Sequence, residues 1–512
     1  MTIITDDNRR WWVAGAMALP LVVLTLDYFG VSVALPAIGR DLKIGTVTLA
    51  WIINAYMLGL ASMLIVGGRL GDLLGRRKML FAGVTVFVVA SVVCGLAPTG
   101  AVLVGARAVQ GAAAGFIFTN TLSIVTNAFP SDQRNVGVSF WVGIGAVGSA
   151  IGPFVGGLLT ELVSWRWFFF LNAPFCIATL AFLLLLIRES RDEESPPKID
   201  WLGCATSIGG LACVVLGLQL AGNVGWTAWA VWLSLAIGVT LLIAFLMIEN
   251  RVAFPLIDFQ LFKSRDFGSC ASVGFLINLS LGSLMLFLAL YLQHVLNLSP
   301  IGAGLVFLGY SVMLAITASS NAFVLNRLGA RQTMAAGMLL NGLSFLILVF
   351  SEMTTGVAVI VGALVLGGAG QALAYTTSTS LAVGSVSEQK TGAASGIVSM
   401  VRMVAVTIGV AISTALFKFL ETGAMVSLIG KAGGDLSRAE VRDIHVLVAG
   451  SDQSATKLAH DVPAAADEMP MIVDQALMAG FGGVMIMCVA VSIIGLAAAF
   501  VARPNKPDAV DD

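Results

Sequence analysis

The chain has 512 residues, of which 58% are hydrophobic and 11% charged, and its formal net charge is −1. Soluble domains carry roughly 25% charged residues, so the composition excludes a water-solvated globule, and the near-zero charge balance gives no footprint for nucleic acid. Apolar runs of about 20 residues recur along almost the whole length, which is the reach of a helix across a bilayer core, and their continuity excludes a barrel of alternating strands.

The fold class that follows is an all-α polytopic membrane protein with about 14 transmembrane helices. The predicted spans are 12–36, 47–68, 78–98, 101–123, 137–160, 167–187, 201–220, 228–248, 267–292, 302–324, 332–350, 356–380, 392–417 and 476–502. Loop charge orients them. Arg9, Arg10, Arg76, Arg77, Lys78, Arg134, Arg188, Arg191, Lys198, Arg251, Arg327, Arg331 and Lys390 fall on one side, and the short loops of the other side carry only Arg40, Lys43 and Arg166. Both termini are therefore expected in the cytoplasm, with Arg503 and Lys506 on the tail. The first apolar run is too long for a cleaved signal peptide. Six cysteines lie scattered in apolar runs without metal or redox spacing, so they read as packing residues. No metal, cofactor or catalytic residue is expected.

Helix 1 carries Asp27 about 22 Å beyond Trp12 at ~1.5 Å per residue, well inside the bilayer. An ionised carboxylate there must be paired or face water. It is the expected proton-binding acid or cation contact; the bland reading is a hydrogen-bonded residue that orders packing. The loop Gly67–Lys78 (GGRLGDLLGRRK) separates helices 2 and 3. Gly68, Gly71 and Gly75 allow close helix approach. Asp72 suits helix-end amides or an arginine across the interface between halves, so Arg69, Asp72 and Arg76 form a candidate conformational latch. Plain positive-inside anchoring accounts for most of Arg76, Arg77 and Lys78. Helix 4 holds Arg107, which cannot shed its proton and needs a partner. Asp27 is one such partner, Gln110 a further member, and snorkelling toward the helix end the alternative. Helix 5 sets Gly148, Gly152 and Gly156 four apart around Pro153, a close-packing face with a kink that reads as a hinge or seal.

The segment 188–201 (RESRDEESPPKIDW) is a charged linker. RLGDLLGRR at 69–77 has an echo in NRLGARQ at 326–332. Each follows the second helix of a six-helix set when helices 7 and 8 are set aside. The expected domains are a six-helix half over 1–187, a linker with two inserted helices over 188–266, a second six-helix half over 267–502, and a tail over 503–512. Such paired halves around a central path are the arrangement of secondary transporters. Residues 421–475 form a polar insert expected outside the membrane. Within it, Leu436–Ala449 and Asp467–Met478 are either amphipathic surface helices or solvated loop. Aromatic and thioether side chains suit a lipophilic cation, and Trp51, Asn54, Tyr56, Met57, Phe116, Trp141, Phe287, Tyr291, Tyr310 and Tyr375 are candidate cavity residues. Arg402 in helix 13 is a second intramembrane arginine, and His294 sits at the outer end of helix 9. No acid is expected inside helices 9 to 14, which argues against dicationic substrates.

Four motifs carry a family resemblance. They are Gly68–Arg77 (GRLGDLLGRR), Arg107-Ala-Val-Gln-Gly111, Gly145–Gly157 (GAVGSAIGPFVGG), and Leu26-Asp27 followed by Val33-Ala-Leu-Pro36. Trp165-Arg-Trp167 through Asn172-Ala-Pro174, and Pro255-Leu-Ile-Asp258 through Phe262, add to them. Over nearly its whole length the chain resembles the major facilitator superfamily, and within it the 14-helix drug:proton antiporters. The resemblance implies a multidrug efflux transporter and a role for Arg107 in proton transfer.

The expected function is a proton-coupled antiporter that exports hydrophobic, monocationic or neutral small molecules by alternating access, as a monomer in the cell membrane. Its partners would be the small-molecule substrate, protons and the lipid bilayer. The alternative is an exporter or flippase of an endogenous amphiphile such as a lipid, siderophore or secondary metabolite, with Arg402 reading an anionic head.

Overall fold

The computed structural model describes residues 6–130, 133–191, 200–252, 259–386, 391–432 and 468–502. These residues fold into helices joined by short turns, without a strand among them, and 14 of the helices are long and apolar enough to cross a membrane. They are α1 (Asp6–Leu42), α2 (Thr46–Leu74), α3 (Arg76–Gly95), α4 (Gly100–Ala128), α5 (Arg134–Leu162) and α6, in two pieces (Trp165–Phe170 and Asn172–Leu186). There follow α7 (Trp201–Val224), α8 (Trp229–Glu249), α9 (Arg265–Leu290), α10 (Pro300–Leu328), α11 (Ala330–Val349), α12 (Val357–Gly384), α13 (Thr391–Lys431) and α14 (Met469–Val501). The turns are built from local chemistry. Ser299 caps α10, accepting from Gly302 N–H at 3.2 Å ahead of Pro300, and Gly75 breaks α2 from α3 with φ 113°, which favours glycine.

Packing repeats. α1 lies on α5, and α2 and α3 lie on α4; in the same way α9 lies on α13, and α10 and α11 on α12. The two sets meet crosswise, α2 against α13 and α5 against α10. Helices α7 and α8 pack on each other, and α7 also lies against α13 and α2. One end of the bundle carries Arg76, Arg77, Arg188, Arg327 and Arg331 and is called the basic end below.

The α1–α5 contact is set residue by residue. A Cβ added at Gly148 would lie 2.5 Å from the Val22 carbonyl oxygen, at Gly152 3.0 Å from that of Leu26, and at Gly156 2.3 Å from that of Gly30. The four-residue rhythm of one helix matches that of the other, so the backbones touch along the whole stripe. Pro153 lies beside this face, and its carbonyl oxygen approaches Gly304 of α10 (2.6 Å from an added Cβ).

The structure corrects three expectations at α13 and α14. The helix does not stop at 417; it continues to Lys431, so the insert expected over 421–475 begins inside a helix. Met425 and Ile429 hold this extension by burying against Met469, Ile472 and Val473 of α14, a tertiary contact that hydropathy alone does not reveal. The stretch expected as a separate surface helix near Asp467–Met478 is, from Met469 on, the start of α14. Consequently the expectation of no acid within helices 9 to 14 is overturned. Glu421 is buried in α13 and pairs with Lys418 at 2.9 Å, and Asp474 lies within α14. Leu436–Ala449, Pro255–Asp258, Lys198, Lys390, Arg503 and Lys506 lie outside the described residues.

Candidate functional site

Asp27 sits on the face of α1 that meets α4 and α6, and its side chain is fully buried. Arg107, one helix away on α4 and also fully buried, donates through Nη1 to Asp27 Oδ2 in a short ion pair. The same Nη1 donates to Gln110 Oε1 at 2.7 Å. Gln110 Nε2 in turn donates to Asp27 Oδ1 at 3.2 Å. The three expected residues therefore close one ring.

Two further residues complete it. Asn172 Nδ2 donates to Asp27 Oδ1 at 2.9 Å and to Ser91 Oγ at 3.0 Å. Ser91, on α3, donates to the Phe169 carbonyl oxygen at 2.8 Å. Asn172 opens the second piece of α6, where Pro174 has no N–H to carry the helix ladder back to Phe170. Arg107 also donates from Nε to the Ile52 carbonyl oxygen at 3.3 Å, and its guanidinium lies 4.1 Å over the ring of Tyr56. Arg107 Nη2 and the Tyr56 hydroxyl are buried without a partner. Five helices thus converge on one carboxylate. Three donors fill three of its roughly four acceptor positions, and the charges compensate each other in a medium where either alone would be strongly disfavoured.

The stretch expected as a loop over 67–78 is instead the last two turns of α2, Gly75 and the start of α3. Asp72 accepts from Arg76 Nε and Nη2 at 2.9 and 2.7 Å. Arg76 N–H donates to the Ser190 carbonyl oxygen at 3.0 Å and Arg77 N–H to Glu189 Oε1 at 3.0 Å. This ties the junction to the start of the linker. Gly71 lets Asn120 of α4 approach α2, and Asn120 Nδ2 donates to the Gly67 carbonyl oxygen at 3.1 Å. Gly68 faces Thr119 on the same helix.

The substrate candidates disperse. Trp141 is buried, donating from Nε1 to the Met17 carbonyl oxygen at 3.0 Å. Tyr291 donates to the Glu352 carbonyl oxygen at 2.9 Å and stacks on Phe481 at 4.6 Å. Tyr310 is buried against α12 beside Gly367 and Gly368. Phe116 is half-buried and fills the space left by Gly67 and Gly83. Met57 and Asn54 are buried, and Trp51 is half-buried. Tyr375 is 37% exposed, and its ring lies 3.9 Å from the guanidinium of Arg402. Arg402 Nη2 donates to the Tyr375 carbonyl oxygen (3.0 Å), Ser378 Oγ (3.0 Å) and Thr379 Oγ1 (2.7 Å). Among the described residues no carboxylate pairs with Arg402.

Ser91, Asn172 and the Lys418–Glu421 pair were not singled out from the sequence as site residues. Neutral polar residues are common in helices, so Ser91 carried no signal of its own, and Asn172 entered only as part of the stretch Trp165–Pro174 that carries the family resemblance. Lys418 and Glu421 did carry one, a three-residue spacing on a helix face.

Comparison with known proteins agrees with this architecture. A sequence model of the Major Facilitator Superfamily matches residues 17–202 and 270–430. The chain is 33% identical to the multidrug resistance protein Stp of Mycobacterium tuberculosis over 401 residues, covering 78% of this chain and 74% of Stp. It is 30% identical to the multidrug efflux pump LfrA of Mycolicibacterium smegmatis, covering 96% of each. It is also 28% identical to the tetracenomycin C resistance and export protein of Streptomyces glaucescens, covering 98% and 93%. Among solved structures, a peptide transporter of the POT family in an auto-inhibited state superposes with a TM-score of 0.66 at 14% identity, over 98% of each chain. A bacterial homologue of the lysosomal transporter Spinster, inward-facing and unoccupied, gives 0.64 at 16% identity, over 97% and 99%.

Proposed function

The chain belongs to the Major Facilitator Superfamily and is a multi-pass membrane transporter of small molecules, and from this we propose that it is a proton-driven exporter of hydrophobic compounds; the acids present in α13 and α14 remove the ground for disfavouring dicationic substrates. The observation that carries the reading is the Asp27–Arg107 pair with its ring of neutral donors. A proton added at the remaining acceptor position of Asp27 removes the charge that compensates Arg107. The pair then loses its reason to stay closed, because an uncompensated buried charge is disfavoured by about 3–5 kcal/mol. Movement of α1 relative to α4 follows. α1 transmits it, since α1 packs along α5 and its Val33 carbonyl oxygen accepts from Gln293 Nε2 at the end of α9 at 2.8 Å. Proton and substrate thus favour opposite arrangements of the two six-helix halves, which is differential binding turned into a cycle.

The efflux and resistance roles in the names of Stp, LfrA and the tetracenomycin C protein support export of drug-like small molecules. Loop charge supports cytoplasmic termini in a plasma membrane, and we take the working unit as the monomer. The α2–α3 junction at 68–76 is assigned to holding α2, α3 and the linker together at the cytoplasmic face, and the α5 stripe to the seal between halves. The deciding experiment is dye efflux from vesicles under an imposed pH gradient. Efflux should stop when the gradient is collapsed and should be lost in Asp27→Asn, which keeps the shape of the side chain and cannot take a proton. Unchanged efflux in both conditions rejects proton coupling.

A second reading is favoured by Arg402, which bonds only neutral oxygens and a tyrosine ring. In that reading the substrate is an endogenous amphiphile with an acidic head that supplies the missing charge. Competition separates the two: an anionic amphiphile would block dye efflux in wild type and lose that effect in Arg402→Gln.

A further inference from the structure

The seam between α2 and α13 is flanked by the inserted helices α7 and α8, and it is not fully packed. A cavity of about 200 Å³ lies there, bounded by Leu58 and Ala61 of α2, Leu211 of α7, Phe245 of α8, and Met400 and Val404 of α13. Cys204 and Ser207 of α7 also reach it. An apolar cavity of about 150 Å³ accommodates benzene, so this one takes a body of one or two rings.

Helix register places polar groups beyond its upper end. A Cβ added at Gly222 of α7 would lie 3.5 Å from Val47 of α2, and Leu211 and Leu58 share the cavity. The two helices therefore run antiparallel in contact between these levels. Asn54 stands one turn beyond Leu58 on the same face of α2. It is fully buried, and neither Oδ1 nor Nδ2 has a partner. Gln219 stands one turn before Gly222 on α7, also buried, with Oε1 and Nε2 both unpartnered. A buried polar atom left unpaired disfavours the fold, so two unsatisfied amides above one cavity mark a place built for something else. Of the charged groups on α13, Arg402 is turned to α12, where it donates to the Tyr375 carbonyl oxygen, Ser378 and Thr379, and Lys418 pairs with Glu421.

We propose that this seam is a second binding site, separate from the Asp27 cluster, for an uncharged amphiphile. Its apolar body fills the cavity and its hydrogen-bonding group is received by Asn54, with Gln219 the next station along the seam. The described lining holds no carboxylate, ammonium or guanidinium, which sets the preference for a neutral ligand. The proposal rests on the exporter reading for the nature of the occupant, while its test reads binding alone, so proton coupling can fail without touching it.

The probe is 2-naphthol, with naphthalene as the same ring system lacking the hydroxyl. In vesicles carrying the full chain, alkylation of Cys204 by N-ethylmaleimide is followed by peptide mass spectrometry. Cys213 serves as reference, on the same helix but not among the residues bounding the cavity. 2-Naphthol should slow alkylation of Cys204 and leave Cys213 unchanged. One hydrogen bond of about 1 kcal/mol corresponds to roughly fivefold in affinity, so naphthalene should need about five times the concentration, and Asn54→Leu should erase that difference. Equal slowing at both cysteines, or equal potency of the two compounds on the wild type, overturns the proposal. Where Cys204 resists alkylation, the fluorescence titration of the purified protein with 2-naphthol decides. Ala61→Phe should weaken binding about tenfold by filling the cavity, and an unchanged titration overturns the proposal.

Discussion

Arg107 gives one nitrogen to two acceptors and leaves another, Nη2, with none. Its bonding is therefore concentrated on Asp27 and Gln110, and removing either end of the ion pair has unequal consequences for stability and for transport. Arg107→Ala should destabilise the protein by about 3–5 kcal/mol, because Asp27 is left buried and uncompensated. The double variant Asp27→Asn with Arg107→Gln should recover most of that loss without restoring efflux. Thermal unfolding in detergent beside vesicle efflux checks both. A double variant as unstable as Arg107→Ala would show that charge compensation is not what the pair provides. The charged members of this cluster were legible because Asp and Arg inside an apolar run are conspicuous. Ser91 and Asn172 were not, because their role arises from the break in α6 and from where α3 sits, neither of which is written in residue type.

Helix contacts decide what the glycines mean. The stripe Gly148, Gly152, Gly156 could be read from spacing, but its counterpart on α1, the carbonyls of Val22, Leu26 and Gly30, could not, since every residue has a carbonyl. Gly156→Val should force α1 from α5, because its Cβ would stand 2.3 Å from the Gly30 oxygen. Gly143→Ala on the same helix meets nothing within 4 Å and should be neutral. Expression, unfolding temperature and efflux rate compare them, and equal behaviour of the two would remove the close contact as the reason for the glycine. The fourteen spans themselves were legible from hydropathy. The length of α13 was not, because its last three turns mix charged and apolar residues and are held by α14.

At the scale of the molecule, the two six-helix sets are pressed together at the end opposite the basic one. Glu161 Oε2 accepts from the Ile301 N–H at 2.9 Å, Gln293 reaches Val33, and a Cβ at Gly157 would stand 2.3 Å from the Pro300 oxygen and 3.2 Å from Ile301 Cα. If transport requires this end to part, Glu161→Cys with Ile301→Cys, joined by a short reducible bifunctional thiol reagent, should stop efflux until the link is reduced. Efflux that continues after complete cross-linking would show that this seam stays shut through the cycle. The repeat at 326–332 hinted at paired halves, but which helices would meet across them follows only from three-dimensional packing.

The paired extension of α13 and α14 has a mechanical corollary. A helix of 41 residues is about 60 Å long at ~1.5 Å per residue, more than the roughly 40–45 Å of a bilayer with its headgroups. Together the two helices form a mast that outreaches the membrane on one side, and Met425 and Ile429 against Ile472 and Val473 keep it stiff. A mast amplifies: a tilt of about 10° at its foot becomes a sweep of about 10 Å at its tip. The outer ends of both helices, at Lys431 and Met469, therefore travel farther than their feet when the pair tilts.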